Sequence, residues 1–223
     1  ADHAGKERKA DHNAARESER SGSTPTGTTA YRVHQLPPCR LIDNEGSELS
    51  AGQQAARLFS NEWRIDVADG KLLEQFVYPF DAPDTFARDV SRGGADASDL
   101  KICDAVALRD ESLLILERIS HTAKIYRVDF ADEHAVPRRH LKETGRPLLE
   151  EMDDEAFARA RVHALPKRLI FSTDEAPEIL PDLEGMARIA ENELLLVNDN
   201  DFGVEGAQTG FFRVRFDRPL DAL

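Results

Sequence analysis

The stretch DAVALRDESLLILER, residues 104–118, carries an acid toward each end of an apolar segment broken by a polar turn. A second stretch, EGMARIAENELLLVNDN at residues 184–200, repeats the plan: acid, small apolar run, polar turn, leucine run, then carboxylates and amides. After each comes an aromatic strand with an arginine, IYRVDF at 125–130 and FFRVRF at 211–216. WRIDV at 63–67 has the same form and runs into a DGK turn. Strand sets that recur at intervals of tens of residues mark a propeller or a solenoid.

The spacing predicts strands over Arg57–Ile65, Leu72–Tyr78, Ala105–Leu108, Leu113–Leu116 and Lys124–Phe130. It predicts more over Arg168–Phe171, Gly185–Ile189, Leu194–Val197 and Phe211–Phe216. Short strands punctuated by Gly, Pro, Asp and Asn indicate an all-β array. At roughly 40–50 residues per blade, the chain beyond its tail would form about four blades of a β-propeller-like fold. A twisted β-sandwich is the competing architecture. One stretch departs from the pattern: PLLEEMDDEAFARARVH, residues 147–163, has helical spacing at Leu149, Met152 and Phe157 and is predicted as a short helical insertion.

Residues 1–30 contain no Val, Ile, Leu, Met, Phe, Trp or Tyr, so they cannot bury a core. They are expected to be a disordered tail or linker, with residues 31–223 as the folded domain. His3 and His12 in that tail are expected to be solvated.

The 29 Lys and Arg against 42 Asp and Glu leave a formal charge of -13. That balance argues against nucleic acid as a partner and favours small cations. No window reaches the ~18 apolar residues of a membrane span, and no apolar export signal opens the chain. Cys39 and Cys103 are the two cysteines, too few for a zinc site, and whether they pair is not readable from sequence.

A turn at residues 109–112 would place Asp104 and Glu117 equally far from its centre, hence near each other at one rim of the sheet. The second unit would do the same for Glu184 and the cluster Asn198-Asp199-Asn200-Asp201. In a propeller, acids at the ends of inner strands converge on the channel mouth. Crowded carboxylates call for a hard cation or an acid–base role. Each acid could equally serve local turn chemistry. Of the cations after Glu117, Arg118 adjoins it at the strand end, whereas Arg127 is expected to alternate outward. His121 follows in a loop, where it could move protons. No Walker loop, serine elbow or HExxH occurs.

LLILER followed by IYRVDF, and then LEGMARIAENELLLVNDNDFG, resemble the phytase-like family described by esterase-like activity of phytase. That family's Ile-Ser-Asp segment reads Ile102-Cys103-Asp104 here, and its Asn-x-Glu-Gly segment begins at Asp182. Its last strand end reads Val197-Asn198-Asp199-Asn200-Asp201-Phe202, with Asn198 where serine is usual. WRIDVADGKLLEQFVYP is similar to the family's preceding strand-turn-strand.

The resemblance implies a propeller-like fold, an exported protein, and phosphoester cleavage by an acidic set carried over as Asp104, Glu117, Arg118, Glu184, Asp199 and Asn200. Glu117, Asp104 and Glu184 would be catalytic, with Glu117 activating water. Arg118 would bind the phosphate of a small phosphorylated substrate. Asp104, Glu184, Asp199 and Asn200 would hold calcium or another divalent hard cation. On that expectation Glu117→Gln removes hydrolysis and leaves the melting temperature nearly unchanged. Domains of the family run longer than the matching part here, so the propeller is expected to be incomplete: a fragment, a shortened variant or one piece of an assembly. The alternatives are a non-catalytic propeller that binds a partner, and a lactone or carboxyl ester hydrolase at a similar metal site.

Overall fold

The computed structural model describes residues 29–34, 59–66, 71–109, 111–141, 149 and 152–223. Ten strands among them form three antiparallel sheets. The first contains β1 (Thr29–His34), β2 (Phe59–Asp66) and β3 (Leu72–Pro79). The second contains β4 (Lys101–Ala107), β5 (Ser112–Arg118), β6 (Ala123–Asp129) and β7 (Lys167–Ser172). The third contains β8 (Leu183–Ala190), β9 (Glu193–Asn198) and β10 (Phe211–Arg215). Within each sheet every strand pairs with its sequence neighbour, so each sheet is a meander.

The second sheet lies between the other two, and β5 is its clearest witness. All seven β5 residues are buried. Side chains alternate across a strand, so the leucine run divides its residues between two cores. Leu113 and Ile115 pack with Phe76 and Tyr78 of the first sheet and with Tyr126 and Val128. Leu114 and Leu116 pack with Leu183, Met186, Leu194 and Leu196 of the third sheet. A strand covered on both faces reads as a continuous apolar run, which is why Leu113–Leu116 shows no alternation.

The all-β expectation holds, and the nine expected strands all occur within a few residues of their predicted limits. The described sheets stack face to face as neighbouring blades do; closure into a ring is not shown. β1 was not expected, because Tyr31 and Val33 are too few to signal a strand; it begins two residues inside the segment assigned to the tail, the rest of which lies outside the described residues, as does Cys39. Among the described residues there are two short α-helices, α1 (Ala87–Val90) and α2 (Asp154–Ala160). The second is the core of the expected insertion. Asp153 caps it by accepting from the Ala156 N–H at 2.7 Å.

The repeat extends to irregularities of backbone. β4 pairs with β5 through Ile102↔Glu117 and then Asp104↔Leu116, so Cys103 is an extra, bulged residue. β8 pairs with β9 through Leu183↔Asn198 and then Gly185↔Val197, which bulges Glu184 at the corresponding place. A bulge re-aims the side chains beside it. At Gly185 a Cβ would meet Val197 Cγ1 at 2.6 Å, so the second bulge also needs a residue without a side chain.

Leu116 is completely buried. Leu116→Ala should lower unfolding free energy by about 2–5 kcal/mol in urea titrations, because it opens a cavity between two sheets that cannot close independently.

Candidate functional site

β5 ends in Glu117 and Arg118, and alternation sends these two charges to opposite faces of the middle sheet. Two polar clusters result, one in each interface between sheets.

Glu117 faces the first sheet and is fully buried. Its Oε2 accepts from Tyr78 Oη at 2.6 Å and from Lys167 Nζ at 2.7 Å, and its Oε1 accepts from the Asp81 N–H at 2.9 Å. Asp81 in turn accepts from Tyr126 Oη, from Lys124 Nζ at 3.0 Å and from Lys167 Nζ at 2.9 Å. Lys124 pairs directly with Glu117 across the β5–β6 ladder. Two carboxylates thus face two ammonium groups, and the charges cancel inside the interface. Partial burial opposes ionisation of Asp81, but bonds from Tyr126, Lys167 and Lys124 hold its carboxyl at about 2. Burial, then the neighbouring carboxylates, push the Tyr78 and Tyr126 hydroxyls upward.

Arg118 faces the third sheet and is 2% exposed. Its Nε donates to Cys103 Sγ at 3.1 Å and its Nη1 to the Ile119 carbonyl at 2.8 Å. Ion pairs to Asp182 and Glu184 complete its shell. The Cys103 thiol is free, and burial pushes it up to about 11 although Arg118 opposes the shift. Asp182 sits at φ 65°, a left-handed conformation that turns its carboxylate back toward the guanidinium.

Beyond Asp182 opens a cleft of about 200 Å³. Asp182, Asn198, Asp199, Asp201 and Gln208 supply its polar lining, and Leu180, Pro181 and Ala207 its apolar wall. Asn198 ties down the far wall: its Oδ1 accepts from the Gly210 N–H at 2.6 Å, and its Nδ2 donates to the carbonyls of Asp199 and Gln208 at 2.7 and 3.0 Å. Asp199 N–H donates to the Asp182 carbonyl at 2.9 Å, joining the two walls.

The expected acid ring is therefore divided. Asp104 and Glu117 do not meet at one rim, because the Cys103 bulge turns Asp104 to the opposite face. There Asp104 accepts from the Met186 N–H at 2.7 Å and from the Ala105 N–H at 2.8 Å, stitching β4 to β8. Glu184 and Asp182 gather on Arg118, and Asp199 lies on the cleft. Asn200 participates through its carbonyl, which accepts from Gly203 N–H at 2.6 Å. Arg118, expected to meet a substrate phosphate, is enclosed by protein acceptors instead. Arg127 is not solvated: its Nη1 donates to the Asp221 carbonyl at 3.1 Å.

These residues do not fit the expected calcium. Such an ion takes six to eight oxygens. Both oxygens of Asp104 hold backbone N–H groups, and Glu184 is paired with Arg118. Among the described residues no group of three or more His, Cys, Asp or Glu is arranged to hold a metal.

The lysine half of the buried network was partly legible, since Glu117 and Lys124 are equidistant from the Ser120–His121 turn. Asp81 and Lys167 were not, being 36 and 50 residues from Glu117 along the chain.

Glu117→Gln breaks a buried charge network, so it should cost about 3–5 kcal/mol and lower the melting temperature, contrary to the sequence expectation. Differential scanning calorimetry decides. Asp81 has a lowered folded pKa, so its stabilisation is present above the ordinary carboxylate range and fades as pH falls through about 2. Asp81→Asn should flatten that acid limb of the stability curve.

A family model described as Phytase-like, esterase-like activity of phytase, matches residues 17–202. No curated protein and no solved structure matches the chain. With the match spanning most of the sequence, including β5 with its terminal Glu117-Arg118 pair and the strands that form the cleft, the chain belongs to this phytase-like family.

Proposed function

We propose that the chain is a phosphoesterase-like hydrolase of small phosphorylated substrates, working in the cleft between Asp182 and Asp199. The observation that carries this reading is the buried Arg118: one of the two acids it pairs with, Asp182, stands on the wall of an open cavity rather than in a closed core. Family membership supports the reaction class.

In this reading Asp199 removes the proton from the attacking water. It is exposed, lines the cleft, and has Oδ1 engaged by the Asp201 N–H at 3.1 Å, leaving its other oxygen to face water. Asp182 orients the water or the ester, and Arg118 is a positioning residue acting through Asp182 and Glu184. Water attacks phosphorus, the ester P–O bond breaks, and the leaving alkoxide takes up the proton that Asp199 removed from the water. Glu117 keeps the neighbouring interface rigid and does not touch substrate.

General acid–base catalysis contributes about 10²–10⁴-fold, so Asp199→Asn should lower kcat on a phosphomonoester, a phosphodiester or phytate by that order. Its melting temperature should stay near that of the parent, since the side chain is exposed. Unchanged kcat in both Asp199→Asn and Asp182→Asn would overturn the assignment. A folded parent with no turnover on any phosphoester would favour a binding module instead.

A further inference from the structure

The cleft poses an electrostatic problem for the reaction proposed above. Asp182, Asp199 and Asp201 line it, and a phosphate ester is itself an anion. Phosphoryl transfer needs cations or N–H donors aimed at the phosphoryl oxygens. Arg118 cannot supply them, because it is enclosed with its N–H groups on Cys103, Ile119, Asp182 and Glu184. Arg88 is also engaged, with both terminal nitrogens on the Ile179 carbonyl at 3.1 and 3.2 Å.

The β5–β6 turn brings a different pair to the same neighbourhood. His121 at its tip has Nδ1 2.6 Å from Nη1 of Arg92, an exposed arginine just after α1. An arginine only donates, so Nδ1 accepts and the ring proton resides on Nε2. The turn is rigidly held. Fully buried Asp89 of α1 accepts from the N–H groups of Ser120, His121 and Thr122 at 3.1, 2.8 and 2.7 Å. Asp174 holds the start of α1 and the end of the turn together, accepting from the Ala87 and Arg88 N–H groups and from Thr122 Oγ1. The Ser120 carbonyl accepts from the Asp182 N–H at 3.1 Å, so the turn is one hydrogen bond from the cleft wall.

We infer that Arg92 and His121 form the phosphate-recognition pair of this hydrolase, the guanidinium and the imidazole Nε2–H binding phosphoryl oxygens of an ester seated in the adjoining cleft. The inference rests on the proposed function for its substrate class, but phosphate binding by the pair can be observed without turnover. Burial, Arg92 and Arg88 hold the imidazole below its usual range, while Asp89 and Asp182 oppose them. The ring is therefore neutral at neutral pH. Imidazolium would carry a proton on Nδ1, where Arg92 donates, so the neutral ring is the form that keeps the pair together and leaves Nε2–H to meet a phosphoryl oxygen.

The test is titration of the full chain with inorganic phosphate, following the imidazole C–H signals by NMR, with His121→Gln to identify the resonance. A saturable shift of the His121 signal is expected. In Arg92→Met the affinity read from that shift should weaken by about tenfold or more, the loss expected for one charge-assisted hydrogen bond. Arg92 is exposed, so an unchanged melting temperature should accompany that loss. A His121 signal indifferent to phosphate, or an equal response in Arg92→Met, overturns the pair even if the chain hydrolyses phosphoesters. A phosphate response that depends on Arg92 in a chain without turnover keeps the pair and removes the hydrolase. Where turnover is present, His121→Gln should raise KM more than it lowers kcat.

Discussion

β5 is enclosed on both faces, and the rest of the molecule is arranged around that constraint. A strand in the middle of a sheet that is itself the middle of a stack has no solvent-facing side, so its residues must be apolar or fully partnered. Leu113–Leu116 meet the first condition. Glu117 and Arg118 meet the second, each drawing a set of opposite charges into its own interface. Desolvating either without partners would cost several kcal/mol, so Lys167, Lys124 and Asp81 on one side, and Asp182 and Glu184 on the other, are structural requirements of the burial.

The two clusters differ in how they end. On the side of the first sheet the charges cancel within the interface, with aromatic rings closing the shell: Lys167 lies 4.0 Å from the Tyr126 ring centroid and Lys124 4.2 Å from that of Phe86. On the side of the third sheet, Asp182 and Glu184 reach past the buried guanidinium toward solvent, with side chains 30% and 44% exposed. That difference turns one cluster into framework and the other into the wall of a cleft. Paired bulges at Cys103 and Glu184 produce the asymmetry, since each displaces a polar side chain from the register its hairpin would otherwise impose.

The same economy of charge applies to the loops around the cleft. In a chain of net charge -13, several acids at turns and strand ends collect backbone N–H groups or arginines. Asp89 gathers the β5–β6 turn, Asp104 joins β4 to β8, and Glu193 receives Arg213 and Arg215 at 2.6 and 2.5 Å. Of the three aspartates that line the cleft, Asp199 joins both walls through its backbone while its side chain stays exposed.

The amino-acid sequence by itself determined the strands after β1, the short helix near Asp154 and the family, because these depend on local periodicity and on short motifs such as LLILER and LEGMA. It also singled out Glu117, Arg118, Glu184 and Asp199 as residues of consequence. What it could not carry was the partition of those residues. Counting outward from the turn pairs Asp104 with Glu117, and a single bulged residue reverses that outcome, since a shift of one position sends a side chain to the other face. The partners that saturate Glu117 lie 36–50 residues away and come together only when sheets stack. Only the tertiary structure decided that Glu117 and Arg118 are buried in different interfaces, that Asp104, Glu184 and Asp199 take separate protein partners, and that His121 stands beside Arg92 rather than alone in a loop. Burial and charge pairing across sheets are long-range properties, and no local pattern encodes them.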